Sequence, residues 1–568
     1  MPLVTSLPRD PAACGIQSAR LHGDVARLAA LGRKLPGSPQ EEAACDIITA
    51  ALRDAGVAHE VHLFDAFVGW PERTGITAAG QEIRATGVGS AAGTGPEGVT
   101  APVATLDGGG NLAGHLALTD GLPRYDACVR AMRAGAVGLI AISTGPDRHY
   151  VQTSPLWGSP ASEADLALLP TIPAAQVSAE DGARLRALIG TGTPVTLVAE
   201  ARREWRRARM PVADIPGEEA PFVLLGAHYC TWQDGATDNL AGVALLLELA
   251  RLFARGPRPR YGLRFAWWTG HEQGVYAGSS WYADRFRAEL YDNAIAYLNV
   301  DIVGVRGGTV KALRNTTAEL SSYATSVLEQ TAGRLSEADD DFVRRALKRL
   351  DKTIDPRRSA RNSDQSFSGI GLSTAQVSAF LPEAHPDRMP GTGLARWWQT
   401  DEDTIDKCDA EILAQDTLIY RNLLEGLVRA ASLPFDYTAT AEDILSSLGE
   451  YTGAVPDNDD LARLVALAER LRAAVGRLSA EADGSARHTA RLLRLARLLN
   501  PAQYHAASDF DFDRSRGSRL LPGLAPALGL AKMDADHAHM ARIELRRRAN
   551  RIAHAFARAL DLIERRDI

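Results

Sequence analysis

At 568 residues, with 45% hydrophobic and 23% charged side chains, the chain has ordinary globular composition and length for about three to five compact units; a disordered, collagen-like or disulfide-scaffold polypeptide is excluded. Sixty-three Lys and Arg against 70 Asp and Glu leave a formal charge of −7, so no basic surplus draws a phosphate backbone, and nucleic acid is not an expected partner. The opening MPLVTSLPRDPAACGIQSAR lacks the apolar core of a signal peptide, and no later run reaches the roughly 18–20 apolar residues of a membrane span, so the expected location is the cytoplasm, with no membrane partner.

Residues 39–56 place apolar side chains at helical spacing and stop at Gly56, after which HEVHLFDA alternates like a strand. From about 96 to 204 the texture turns to Gly-rich turns and short alternations. NLAGHLALTD reads as strand, YDACVRAMRAGA as helix, VGLIAIS as buried strand, SAEDGARLRALIG as helix and PVTLVAE as strand. That stretch is expected to be an inserted, β-rich domain.

Between about 205 and 430 come the strand-like PFVLLGAH, YGLRFAWW and AIAYLNVDIVG, separated by the helical NLAGVALLLELARLFA and a helix around SSWYADRF. Strands alternating with helices predict an α/β fold, a mixed sheet sandwiched by helices with ligands near the carboxyl ends of its strands. Beyond 430, DLARLVALAERLRAAVGRL, TARLLRLARLL and an Arg-rich segment from about 533 to 565 predict a helical C-terminal domain. The expected units are thus 1–95 plus 205–430, 96–204, and 431–568. The five cysteines, Cys14, Cys45, Cys128, Cys230 and Cys408, show no CxxC spacing and are expected to be free thiols.

Four polar groups each follow a strand-like segment: His228 after PFVLLGA, Asp238 in DGATDN, Glu272 in WWTGHEQG and Asp301 in YLNVD. A rigid strand that ends in a carboxylate or imidazole holds the ligand at the sheet edge, which is how a metal site is preorganised.

The stretches GAHYCTWQDGATDNLAGVALLLELARLF, RFAWWTGHEQGVYAGSSWYADRF, AIAYLNVDIVG, NSDQSFSGIG and WWQTDEDTIDKCD resemble the bacterial zinc aminopeptidase family, related to glutamate carboxypeptidase, the transferrin receptor and glutaminyl cyclase. Residues 33–56 are similar to that family's opening helix, 96–204 to the protease-associated domain often inserted in it, and the C-terminal helices lie where larger members carry a dimerisation domain. The resemblance implies that His228, a bridging Asp238 and Asp301 hold one metal ion, and that Asp238, Glu272 and Gln399 hold a second. It implies hydrolysis of an amide bond in a small peptide or N-acyl compound, and a homodimer. Hard carboxylates with imidazole suit zinc, manganese or iron, and two ions about 3.5–4 Å apart polarise a carbonyl and activate water.

Three positions depart from the pattern. His271 stands where the family has the Glu that takes the proton of the attacking water. Gln399 replaces a ligand His, and Cys230 replaces an Asp that orients the first histidine. Three readings follow: His271 serves as the general base of a hydrolase; His271 or Cys230 joins the metal in a one-metal centre for a cyclase-like or lyase-like reaction; or the fold is a noncatalytic module like the transferrin receptor ectodomain. The first is the expectation. His385, in LPEAHPDRMPGTG, could restore an imidazole, although a solvated loop His is the commoner case. Trp232, in the ligand-bearing loop, is the best candidate for lining a pocket, and Cys230 reads first as a small packed thiol.

Overall fold

The computed structural model describes residues 7–348, 358, 363–480, 483–515, 517 and 519–564. Asn362 of the NSDQSFSGIG stretch and the last residue of the expected final helix lie outside them. Among the described residues the strands form a nine-stranded and a five-stranded sheet. The large sheet runs Val310–Arg314, Ser373–Phe380, Ala294–Asn299, Glu219–His228, Tyr261–Trp268, Val195–Ile215, Ala58–Ala78 and Gln81–Ile83, with Val99–Ala101 paired beside Val195–Ile215. Its centre is parallel: Glu219–His228 lies between Tyr261–Trp268 and Ala294–Asn299, with His228 opposite Trp268 and Gly226 opposite Asn299. These strands carry unbroken apolar runs because both faces are covered.

The sequence placed these central strands closely, and the Tyr261–Trp268 strand to the residue. The helix expected over 39–56 spans Pro39–Asp54, with Ser38 Oγ accepting from Glu41 N as its N-cap. Two strands extend well past their expected ends. Ala58–Ala78 and Val195–Ile215 pair antiparallel along almost their whole lengths, with a register shift between Pro71 and Arg73. This long ribbon carries the smaller sheet, ordered Thr86–Gly87, Ala174–Val177, Gly138–Ile142, Leu116–Asp120 and Val103–Thr105. Its strands begin at Thr86, ahead of residue 96, because the ribbon outruns the run of alternating residues that was visible in sequence.

One hydrophobic core on one face of the large sheet takes in Leu245 and Leu249 of helix Ala241–Arg255 and Leu418 of helix Ala410–Val428. It also takes in Ile444, Leu464, Leu495 and Phe556 of the C-terminal helices. The opposite face packs Phe64, Trp70, Trp268, Tyr297 and Phe367. Arg497, in helix Ala486–Tyr504, is buried and donates to the carbonyls of Tyr291 (2.9 Å), Gly371 (3.1 Å), Leu290 (3.2 Å) and Ala294. It thereby satisfies carbonyls at the start of the Ala294–Asn299 strand, whose other end lies two residues before Asp301.

Candidate metal centre

Three parallel strands deliver the site from one edge of the sheet. His228 ends its strand, Glu272 lies in the loop after Trp268, and Asp301 follows the strand that ends at Asn299. Asp238 comes from the irregular turn Ala236–Leu240 that feeds helix Ala241–Arg255, where the Asp238–Asn239 peptide is cis. Buried Asp403 braces that turn, its carboxylate accepting from Thr237 N and Oγ1 (2.7 Å) and from Asp238 N (3.0 Å). Burial pushes the Asp403 carboxyl up to about 7.

His228, Asp238 and Asp301 each bring a ligand atom within 4.8 Å of the others, and so do His228, His271 and Glu272. His228 Nδ1 donates to the Cys230 carbonyl at 3.0 Å, which directs Nε2 to Asp238 Oδ1 at 3.1 Å and Asp301 Oδ1 at 3.7 Å. Burial opposes the charged imidazole, yet the hydrogen bond to Asp238 and the nearby Asp301 carboxylate hold His228 well above its usual value. Asp301 Oδ2 accepts from Ser363 Oγ at 2.7 Å. Its Oδ1 is buried with no hydrogen-bond donor among the described residues. Such an atom is costly unless a cation faces it, and imidazole with two carboxylates is a donor set for a borderline divalent ion. The residues present therefore fit a metal ion.

Glu272 is held differently. Trp232 Nε1 donates to its Oε2 at 2.8 Å, and Gln399 Nε2 donates to both its oxygens at 3.0 Å. Burial pushes Glu272 up to about 7, and Asp238 adds to the rise. An ionised carboxylate only accepts hydrogen bonds, so the Gln399 amide turns its nitrogen to Glu272 and not its oxygen toward an ion. Gln399 is thus a clamp on Glu272 in this arrangement, in contrast to the ligand role implied by its position. Trp232 is buried, stacks on Tyr150 with centres 5.6 Å apart and planes 13° apart, and supports Glu272.

His271 is half-buried and stacks on His228, with ring centres 3.7 Å apart. Its Nδ1 lies 2.6 Å from Asp364 Oδ2, its backbone N donates to Cys230 Sγ at 3.2 Å, and the Tyr276 ring stands perpendicular to it with centres 4.9 Å apart. Burial and the neighbouring His228 oppose its charging, while Asp364 and Glu272 raise its pKa above the ordinary value. Cys230 thus serves through its carbonyl on His228 and its sulfur on His271, and burial pushes its thiol up, away from nucleophilic use. His385 stands apart: its ring sits against Gly307 and its Nδ1 accepts from Asp387 N at 3.2 Å.

Five of the nine described non-glycine residues with positive φ, namely Val275, Tyr276, Ile302, Ser363 and Gln399, lie in the loops that carry the site. Strain of this kind is kept where the surroundings fix a geometry. The smaller-sheet layer contributes to that fixing. Tyr150 N donates to Gln399 O at 2.8 Å, His149 Nδ1 donates to Trp398 O at 2.7 Å, and Tyr150 Oη donates to Asp401 Oδ1 at 2.9 Å.

Two arginines face the same space. Arg314 ends the Val310–Arg314 strand opposite Gln376, whose amide donates to Asp301 O. Arg124 caps helix Tyr125–Arg133 in the smaller-sheet layer. Burial lowers both guanidinium pKa values, against the pull of Tyr276 and Glu272 on Arg124 and of Asp301, Tyr276 and Asp238 on Arg314. Arg124 is nevertheless open to solvent and Arg314 half-buried, as at the wall of a cleft. Neither has an ion-pair partner among the described residues, and Arg314 Nε is buried without a hydrogen bond. Sequence reading missed Asp364, Asp403, Arg124 and Arg314. Asp364 stood inside the NSDQSFSGIG stretch without a role, whereas the arginines lay in no motif.

Residues 212–423 match peptidase family M28. The probable lipoprotein aminopeptidase LpqL of Mycobacterium tuberculosis is 27% identical over 289 residues, covering 48% of this chain and 55% of the relative. The probable glutamate carboxypeptidase VP8 of Zea mays is 27% identical over 260 residues, covering 44% of this chain and 35% of the relative. The chain therefore spans about half the length of the first and a third of the second. Among solved structures, a zinc aminopeptidase from Bacillus subtilis superimposes with a TM-score of 0.55 at 20% identity, over 74% of this chain and 97% of that one. The mixed sheet, the polar groups at its strand ends and these matches converge: residues 212–423 resemble peptidase family M28, and the chain has the fold of the zinc aminopeptidase structures.

Proposed function

We propose that the chain is a metal-dependent hydrolase of amide bonds in small peptides or N-acyl compounds. The observation that carries this reading is the buried, donorless Asp301 Oδ1 facing His228 and Asp238. His228, Asp238 and Asp301 would hold a divalent ion, with zinc the best match and manganese or iron as alternatives. Glu272, tied by neutral donors, would hold a second ion weakly. The ion supplies Lewis acidity toward the scissile carbonyl and acidifies water.

The chain's own residues supply the rest. His271 accepts the proton of the attacking water through Nε2, since Nδ1 is engaged by Asp364. Arg124 and Arg314, without an ion-pair partner among the described residues, match a substrate that carries a carboxylate, because guanidinium groups bind carboxylates through paired N–H donors. Trp232, Gln399 and Cys230 hold Glu272, His228 and His271 in place.

The test is elemental analysis of purified protein with a screen of aminoacyl amides, dipeptides and N-acyl amino acids. Turnover that is lost on chelation and restored by added zinc is expected. Full activity in a metal-free preparation, or bound metal with no turnover on any of these classes, overturns the reading.

A further inference from the structure

A chain of buried hydrogen bonds runs behind His271, and what it implies deepens the hydrolase reading and rests on it. Trp157 Nε1 donates to Ser366 Oγ at 2.8 Å, Ser366 and Ser279 share a hydrogen bond at 2.8 Å, and Ser279 Oγ donates to Asp364 Oδ1 at 2.6 Å. Indole N–H is a donor only. With Ser366 accepting from Trp157, its own hydroxyl is free to donate to Ser279, and Ser279 donates onward to Asp364. Every proton in the chain points toward the carboxylate. The second Asp364 oxygen, Oδ2, then faces His271 Nδ1 at 2.6 Å. Trp157, Ser279, Asp364 and Ser366 are all buried.

We infer that Asp364 is a positioning residue, which fixes His271 in the tautomer that carries hydrogen on Nδ1 and presents the Nε2 lone pair to the side where His228 and Glu272 gather. A neutral imidazole in the other tautomer would turn a donor to that side and could accept no proton there. In the reaction the water proton passes to Nε2 as its oxygen bonds to the scissile carbonyl carbon. The carbon–nitrogen bond then breaks, and the same proton leaves Nε2 for the departing amine. His271 returns neutral, and the Asp364 carboxylate adjoins the imidazolium while it lasts.

Ser279 and Trp157 distinguish this role from plain packing. Ser279, itself held by Ser366 and Trp157, fills the other oxygen of Asp364 and so keeps the carboxyl turned toward His271. Trp157 comes from the segment between the smaller sheet's strands, so that layer reaches the site histidine through three intervening side chains.

The experiment uses the full chain with 15N-labelled histidine at pH 9, metal-free and zinc-loaded, with His271→Gln to assign the resonance. Two-bond 1H–15N correlations report which ring nitrogen carries the hydrogen, and this readout needs no substrate. The expected result is hydrogen on Nδ1 in the parent protein. In Asp364→Asn, whose amide can donate to Nδ1, the hydrogen should move to Nε2, with kcat lower by about 10²–10⁴-fold, KM within about twofold and zinc content unchanged. Asp364→Glu, which keeps an acceptor, should restore the Nδ1 tautomer and part of the turnover, and it serves if the Asn variant misfolds. Hydrogen on Nε2 in the parent protein, or an Asp364→Asn variant with tautomer and kcat unchanged, overturns the inference. Absence of turnover in the zinc-loaded parent overturns the hydrolase reading alone and leaves the tautomer result standing.

Discussion

The imidazoles of His228 and His271 lie face to face, with centres 3.7 Å apart and planes 16° apart. Each has its Nδ1 committed, to the Cys230 carbonyl and to Asp364, so both rings offer Nε2 to the same cluster. The two rings differ in what else they meet. His228 contacts Asp238 and Asp301, whereas His271 lies at the half-open side beside Tyr276. Substitution should therefore separate them. His228→Ala is expected to lose bound metal. His271→Ala is expected to keep it and to lose about 10²–10⁴-fold in kcat with little change in KM. Elemental analysis beside steady-state kinetics reads both.

Metal stoichiometry should reflect the clamp on Glu272. One tightly bound ion per chain is expected in the parent protein. Gln399→His would place an imidazole where the amide now donates to Glu272, and should raise binding toward two ions, seen as a second class of sites in zinc titration calorimetry. A titration of Gln399→His that matches the parent would mean Gln399 does not limit the second ion.

The arginine pair predicts a split by substrate. Charge-assisted hydrogen bonds contribute about 1.5–3 kcal/mol each, or roughly 10–150-fold in affinity. Arg314→Gln and Arg124→Gln should each raise KM in that range for substrates with a free carboxylate, and should leave the corresponding carboxamides almost unchanged. Equal losses on both substrate types would place the arginines in a structural role.

Stability should carry a signature of Glu41, which lies behind the site. Its carboxylate accepts from Gly37 N at 2.7 Å and from Thr269 Oγ1, yet burial dominates and pushes it up to about 7 from 4.5. The folded state thus holds this proton more tightly than the unfolded chain. The resulting stabilisation is complete below about pH 4.5 and is lost as pH rises through about 7, at up to about 1.4 kcal/mol per unit. Denaturation midpoints should fall across that window in the parent protein and fall less steeply in Glu41→Gln. Parallel curves would show that Glu41 does not contribute to the slope.

The strand-end groups His228 and Asp301 could be placed from sequence because each follows a continuous apolar run, and burial on both faces of a parallel strand leaves just such a run. Gln399 could be placed but not oriented, since which end of its amide faces the centre depends on Glu272, 127 residues earlier. Asp364 was hidden for a similar reason: its role depends on His271, a partner 93 residues away. Arg124 and Arg314 carry no local pattern, and only the approach of the smaller-sheet layer to the main sheet brings them to one space. The length of the Ala58–Ala78 and Val195–Ile215 ribbon was obscured because its middle is edged by solvent and is rich in arginine, without clean alternation.

The helices beyond residue 430 complete the interior of the large-sheet layer, and Arg497 closes the chain ends at Leu290, Tyr291 and Ala294. A gene fragment cut at 431 would therefore encode a greasy half-shell prone to inclusion bodies, whatever the integrity of its ligand loops. Heredity must pass the two regions on together, and any engineer who wishes to shorten this protein should trim elsewhere.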